Sequence, residues 1–435
     1  PQDNHGVAVG LDHDRADRFF GKFAMGALNL SVAHSKRTKG VPTASFSQVF
    51  NDPRSHTTDT HTMVDIGYRH GLSAGTELAS RLFWGSHDYD GDYIYDYPPV
   101  TINRDTSRGR WWGGELRLTS AHDGHKLVLG TEFQNDYRRD QAIFDVDPFL
   151  SYLDSRRDGH RWGVFAQDEW RLRENLLLNA GLRYDKHSSN ASAFNPRLGL
   201  VYQLSAATTL KAVYATAFRA PNAYELYYDL RMAGGHKANP ELGPERIRSG
   251  ELIVEHYLSP SARISATLFR NKVRDLIALR VDPLDGLVMF ENIDRAQAQG
   301  IGIELEKAWS TGMRLRTNLS LQQTRDAISG EALPNSPRRL AAFNLSAPVF
   351  GGTWRSGIEA RYVGPRNTLS GGQVDGYWLA NLTLTSVRLG PGLEAGLSVY
   401  NLFNRRHADP GTAEHAQDAI AQDGRTVWLR LGYAF

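Results

Sequence analysis

Residues 88–99 read DYDGDYIYDYPP, a stretch in which phenols and carboxylates alternate. Tyr89, Tyr93, Tyr95 and Tyr97 offer flat, amphipathic rings at low ordering cost, which is the chemistry of ligand capture. The plainer reading is an aromatic girdle with a loop packed on itself. Asp88, Asp90 and Asp92 supply the hard oxygens that suit calcium. An EF-hand needs Gly at its sixth position and Glu at its twelfth, and here those are Tyr93 and Pro99. A looser calcium loop is the expectation that survives, set against a merely solvated acidic loop.

Catalytic patterns are absent from the sequence. It contains no phosphate loop and no HExxH. It has no Cys, which removes disulfides, thiolate metal sites and thiol nucleophiles together. The fifteen His are scattered. No enzyme and no cofactor are expected, although an acid–base–nucleophile set assembled across strands leaves no linear trace. Lys+Arg 50 against Asp+Glu 48 gives a net charge of +2, which argues against a nucleic-acid binder.

The elements that must position these residues show a period of two. In Leu176–Asp185, Leu176, Leu178, Ala180, Leu182 and Tyr184 oppose Leu177, Asn179, Gly181, Arg183 and Asp185. Met313–Gln322 alternates as cleanly, and the last eleven residues, RTVWLRLGYAF, end the chain on an aromatic strand. Helical spacing is missing from these segments. Mean hydropathy is negative, and no run reaches the roughly 18 apolar residues of a membrane helix. About nineteen strands are expected, from 18–25 to 425–435. Tight connections (around Gly26, Ser73–Gly75, His122–Gly124) alternate with long polar ones (38–60, 89–106, 139–157, 219–244). That sorting predicts an all-β, transmembrane antiparallel β-barrel with short turns on one side and longer loops outside.

Nineteen is odd, and a single-chain bacterial barrel needs an even number. With the last strand ending at the inner side, strand 18–25 descends, and residues 1–17 become the remnant of an outside loop. The expectation is a wall, 18–435, missing strands at its N-terminal end, with two unpaired edges. Trp111 and Trp112 are adjacent, so one meets lipid and the other lines the vestibule. Trp112 is the candidate for the binding face. Glu304, Glu306, Arg314, Arg316, Arg183 and Asp185 would be costly in a dry core and suit a watery or plugged lumen.

Several motifs then carry a family resemblance: YATAFRAPNAYELYY (214–228) followed by NPELGPER (239–246), NIDRAQAQGIGIELE (292–306), VYNLFNRRHADP (399–410), the early segment 19–54 and the terminal strand. Together they resemble the barrel of TonB-dependent outer-membrane receptors, over nearly the whole chain. The resemblance implies twenty-two strands around a plug, of which about nineteen would be present here, with the plug and its TonB-coupling box lying upstream. It makes Arg219 and Asn222 organisers of a strand-to-loop exit. Tyr227, Tyr228 and His236 lie further into that loop and are the better ligand candidates; a lone His is more often structural than metal-binding. The resemblance implies a bacterial outer-membrane receptor that takes up a metal chelate, most often a ferric siderophore, with cobalamin or haem next. TonB, the chelate, outer-membrane lipid and lipopolysaccharide are the partners implied. An outer-membrane enzyme and a diffusion porin are the competing readings.

Overall fold

The computed structural model describes residues 3–189, 191–232, 235–387 and 389–433. Ala434 and the terminal Phe435 lie outside the described residues. Nineteen long strands form one wall. Its first part is β1 (Asp14–Met25), β2 (Leu28–Gly40), β3 (His56–Ser73), β4 (Thr76–Asp96), β5 (Val100–His122) and β6 (His125–Asp145). It continues with β7 (Gly159–Arg173), β8 (Leu176–His187), β9 (Ser192–Ser205), β10 (Thr208–Arg219), β11 (Glu245–Ser259), β12 (Ala262–Val281) and β13 (Val288–Ala308). The last six are β14 (Arg314–Asp326), β15 (Arg339–Val349), β16 (Trp354–Val363), β17 (Tyr377–Ser386), β18 (Leu393–Tyr400) and β19 (Thr426–Tyr433). Each pairs antiparallel with its sequence neighbours, and two short strands, Leu150–Ser155 and His236–Lys237, complete a 21-stranded sheet. Among the described residues no pairing joins β1 to β19.

The first strand begins at Asp14, so the wall opens slightly before the expected boundary at 18. The larger departure is at the other ends of the strands. The stretch 89–106 is not a loop: β4 runs out to Asp96 and β5 starts at Val100, and they stay paired up to Asp96↔Val100. The polarity of this stretch imitates a loop. Above the membrane the outward face has no lipid to meet, so apolar alternation gives way to charge on the same period. The turns at the opposite ends are tight. Gly75 sits at φ +84°, a conformation that disfavours other residues, and a Cβ there would come within 2.6 Å of the Ala121 carbonyl oxygen.

The two faces of the wall differ chemically. Leu82, Trp84, Trp112, Leu116, Leu252, Leu268 and Leu321 are exposed on the outward face. The inward face carries ion pairs. Arg263 reaches Glu255 (3.5 Å), Glu304 (3.4 Å) and Glu306 (3.0 Å), and Arg316 reaches Glu304 (3.1 Å) and Glu306 (3.4 Å). Arg183 holds Asp185 (2.7 Å) and Glu132 (3.1 Å). A lipid-facing belt outside and a polar, charged interior define a membrane-spanning wall.

Candidate functional site

Strand parity decides what the Tyr-rich stretch does. On β4 the odd residues face inward with Arg81 and Phe83, so Tyr89, Tyr93 and Tyr95 project to the inner face of the mouth, and Tyr97 lies in the turn just beyond the strand. Gly91, between the first two, makes their meeting possible. A Cβ on it would come within 2.5 Å of the Tyr89 hydroxyl and 2.7 Å of the Tyr93 ring. The hydroxyls of Tyr89 and Tyr93 are instead hydrogen-bonded at 2.6 Å. Tyr95 and Tyr97 stack with ring centroids 5.5 Å apart. Phe46, from the loop between β2 and β3, meets Tyr93 edge-on at 5.7 Å, and its carbonyl accepts from the Tyr95 hydroxyl at 3.3 Å.

A second aromatic group lies in the loop between β10 and β11. Arg219, at the end of β10, donates to Glu245 (2.6 Å) and Glu225 (2.8 Å). Asn222 accepts from the Glu225 backbone N–H while the Glu225 carboxylate accepts from the Asn222 N–H, a complete capping box. The box starts the single turn of helix α1 (Ala223–Tyr227). One turn places Tyr224 and Tyr228 on the same side, with centroids 4.6 Å apart. His236 meets Tyr228 at 5.3 Å, and Phe290 on β13 meets Tyr224 at 5.5 Å. Tyr227 points elsewhere and stacks under the Arg157 guanidinium at 4.8 Å.

Both groups face one vestibule. The Tyr228 phenol lies within electrostatic range of Asp105, Tyr93 and Tyr95, and Tyr224 within range of Asp105 and Glu414. The loop holding Glu414 is itself tied to the Phe46 backbone, whose N–H donates to the Glu414 carbonyl at 2.9 Å. Burial raises the phenol pKa of Tyr228, carries that of Tyr95 up to about 12, and holds the His236 ring toward its neutral form. Burial likewise pushes the Asp105 carboxyl up to about 6. The result is an aromatic mouth of phenols, with one imidazole held toward its neutral form and one desolvated acid. It can sandwich a flat or ring-bearing ligand and hydrogen-bond its rim.

The even residues of the same strands tell a different story. Asp88, Asp90 and Asp92 face outward, and each is held by an arginine of β5: Arg110 at 2.8 Å, Arg108 at 2.5 Å and Arg104 at 2.6 Å. The calcium expectation fails on this geometry. The carboxylates are spaced along one face of a strand, each already paired with an arginine, and among the described residues no group of three His, Cys, Asp or Glu is placed to hold a metal ion. Trp112 also faces outward, directly opposite Trp84 in the register, and is therefore belt rather than binding face. Trp111 is the inward one, packed where a Cβ on Gly85 would meet its ring at 2.3 Å.

Four vestibule residues are not among the candidates drawn from sequence: Phe46, Asp105, Tyr224 and Phe290. Only Tyr224 carried a usable signal, its spacing of four from Tyr228 after a capping-box pattern, N-x-x-E.

Comparison with known proteins agrees with the fold. The family described as "TonB dependent receptor-like, beta-barrel" matches residues 3–402. The iron-regulated outer membrane virulence protein of Vibrio cholerae is 27% identical over 333 residues, which cover 72% of this chain and 49% of that protein. The ferric enterobactin receptor of Pseudomonas aeruginosa is 28% identical over 302 residues, covering 60% of this chain and 39% of that one. The chain thus spans about half the length, or less, of these relatives. Among solved structures, copper transporter OprC superposes with a TM-score of 0.78 at 16% identity, covering 98% of this chain and 73% of its own, a likeness of fold alone.

Proposed function

The chain belongs to the TonB-dependent receptor β-barrel family and lies in the bacterial outer membrane, and from that premise we propose that it forms the wall and capture mouth of a receptor for a scarce metal chelate, with a ferric siderophore as first choice. Uptake is driven through TonB, acting on a plug in the lumen, and the wall does no chemistry on its cargo. The inward ion pairs of Arg263, Arg316 and Arg183 form the polar lining on which such a plug docks. Cobalamin or haem is the alternative cargo within the same family.

The observation that carries the reading is the convergence of two aromatic groups on one mouth. Tyr89, Tyr93 and Tyr95 from β4 and Tyr224, Tyr228 and His236 from the β10–β11 loop face the same space. Bulky chelates present flat rings and hydrogen-bonding edges, which such a surface holds. A diffusion porin has no use for a desolvated aromatic mouth.

The test is a binding screen in outer-membrane vesicles bearing the intact receptor, with a panel of ferric siderophores, cobalamin and haem. Saturable binding of one compound, weakened by Tyr93→Ala and Tyr228→Ala, is the expected result. Binding that both substitutions leave unchanged would remove the vestibule from the reading.

A further inference from the structure

We propose that the outward face of β11 and β12, at the loop-side edge of the apolar belt, binds the phosphorylated headgroup of lipopolysaccharide and seats its acyl chains in the groove below. Nothing in the vestibule bears on this face, so its fate is separate from the cargo reading.

The cations are stacked by register. Arg246 of β11 stands directly opposite Arg274 of β12, Arg248 stands opposite Lys272, and Arg270 stands opposite Gly250. The Arg248–Lys272 row continues across Gln297 of β13 to Arg325 of β14, and the Arg270 row continues across Gln299 to Gln323. No carboxylate stands in either row. Arg246, Arg248, Arg270, Lys272 and Arg274 are all exposed, and none makes a side-chain hydrogen bond or ion pair among the described residues.

This arrangement costs stability as it stands. Like charges directly opposed across two strands repel, and here two such pairs are consecutive. Local rules are broken in this way where a ligand restores the balance. The contrast on the other side of the wall is instructive. Above Trp84 and Trp112, the outward cations Arg104, Arg108 and Arg110 are matched one for one by Asp92, Asp90 and Asp88. Trp84 and Arg270 stand equally far along their strands from Thr76 and Ala262, so both faces meet the membrane at the same height. One is self-neutralised and the other lacks its anions.

What lies below the cations identifies the partner. A groove opens directly beneath Arg270, Gln299 and Gln323, floored by Leu200, Tyr214, Leu252, Leu268, Ile301 and Leu321. Gly250 deepens it, since a Cβ there would meet nothing within 4 Å. Apolar channels under a block of guanidinium groups fit a molecule with several acyl chains below more than one phosphate. Arginine matches phosphate geometry in bidentate fashion. The long-loop side of the wall faces the outer leaflet, where lipopolysaccharide has this design and a one-phosphate, two-chain phospholipid does not.

The test uses the intact protein purified from its outer membrane in mild detergent and stripped of lipid. Retention of bisphosphorylated lipid A, monophosphorylated lipid A and phosphatidylglycerol is read by native mass spectrometry. Bisphosphorylated lipid A should bind tightest, and Arg248→Ser with Lys272→Ser should weaken it by about tenfold or more, given roughly 1 kcal/mol per basic side chain at an anionic surface. Asp90→Asn with Arg108→Gln, which removes a matched couple further out on the opposite side of the wall, should change nothing, and Arg248→Lys should retain binding. Heat-modifiable electrophoretic mobility reports whether each variant folds; if the double variant does not, Arg270→Gln is read in its place. Equal binding by variant and parent, or phosphatidylglycerol binding as tightly as lipid A, overturns the proposal.

Discussion

Asp105 stands directly opposite Gly91 in the β4–β5 register, beside the hydrogen-bonded hydroxyls of Tyr89 and Tyr93. Glycine thus makes room for two phenols on one strand, and the neighbouring strand sets an acid against the gap. No cation pairs with that acid among the described residues, and burial alone holds its pKa up to about 6. A desolvated carboxyl of this kind is a cost to the fold that a ligand's donors can recover.

The cost predicts a pH dependence. A carboxyl whose folded pKa lies near 6, against an ordinary value of 3.8, keeps its proton in the folded state where the unfolded chain releases it. The penalty is complete above about pH 6 and fades as pH falls toward 4. Asp105→Asn removes it. The variant should be more stable than the parent by about 1–3 kcal/mol at pH 7.5, with the difference closing by pH 4. Thermal unfolding in detergent at a series of pH values measures this, and a pH-independent difference would show that the carboxyl is not desolvated.

Gly91→Ala tests the notch itself. Its backbone is one any residue adopts, so the effect is purely steric: the new methyl group must displace the Tyr89 hydroxyl or the Tyr93 ring. Affinity for the compound selected in the vesicle screen should fall about tenfold, the size of about 1.4 kcal/mol, while folding is retained. Gly67→Ala, where a Cβ would meet nothing within 4 Å, is the matched control and should leave affinity unchanged.

The two adjacent tryptophans should separate cleanly. Trp112→Ala removes an outward ring from the belt opposite Trp84, so it should lower the unfolding temperature of the inserted barrel and leave ligand affinity alone. Trp111→Ala acts inside, where Trp111 shares a lumen wall with Phe83, Glu115 and Arg161. It should alter ligand uptake more than insertion. Equal effects of both on binding would contradict the assignment of faces.

Much of this was legible in the sequence because a strand's period is rigid. Leu176–His187 and Arg314–Asp326 are strands where the alternation put them. The expected loop at 89–106 failed for a physical reason: once a strand leaves the bilayer, Asp88–Asp92 alternate with tyrosines, and no apolar signal marks the register. Parity also could not be anchored at Trp111–Trp112, since either ring suits either face until the neighbouring strand is known. Convergence was beyond reach for the same cause. Phe46, Asp105 and Phe290 lie on three different connections or strands, and only pairing brings them to Tyr93 and Tyr228.

The β10–β11 loop offers the sharpest separation of scaffold from contact. Among the described residues Arg219 stacks on no ring of the vestibule, yet it links Glu245 on β11 to Glu225 in the capping box that fixes α1. The two carboxylates hold the guanidinium protonated. Asn222→Ala removes the cap at a typical cost of about 1 kcal/mol, and Arg219→Ala adds loss of the strand-to-helix tie. Both should speed hydrogen exchange across 223–232 and weaken ligand binding together, because Tyr224 and Tyr228 depend on one helical turn for their common direction. Arg219→Lys keeps the charge but not the fork that reaches two acids at once, so it should only partly restore protection. Tyr228→Ala should weaken binding without changing exchange at 223–226. If Asn222→Ala weakened binding with exchange unaltered, Asn222 would be touching ligand itself, and the division between scaffold and contact would move by one residue.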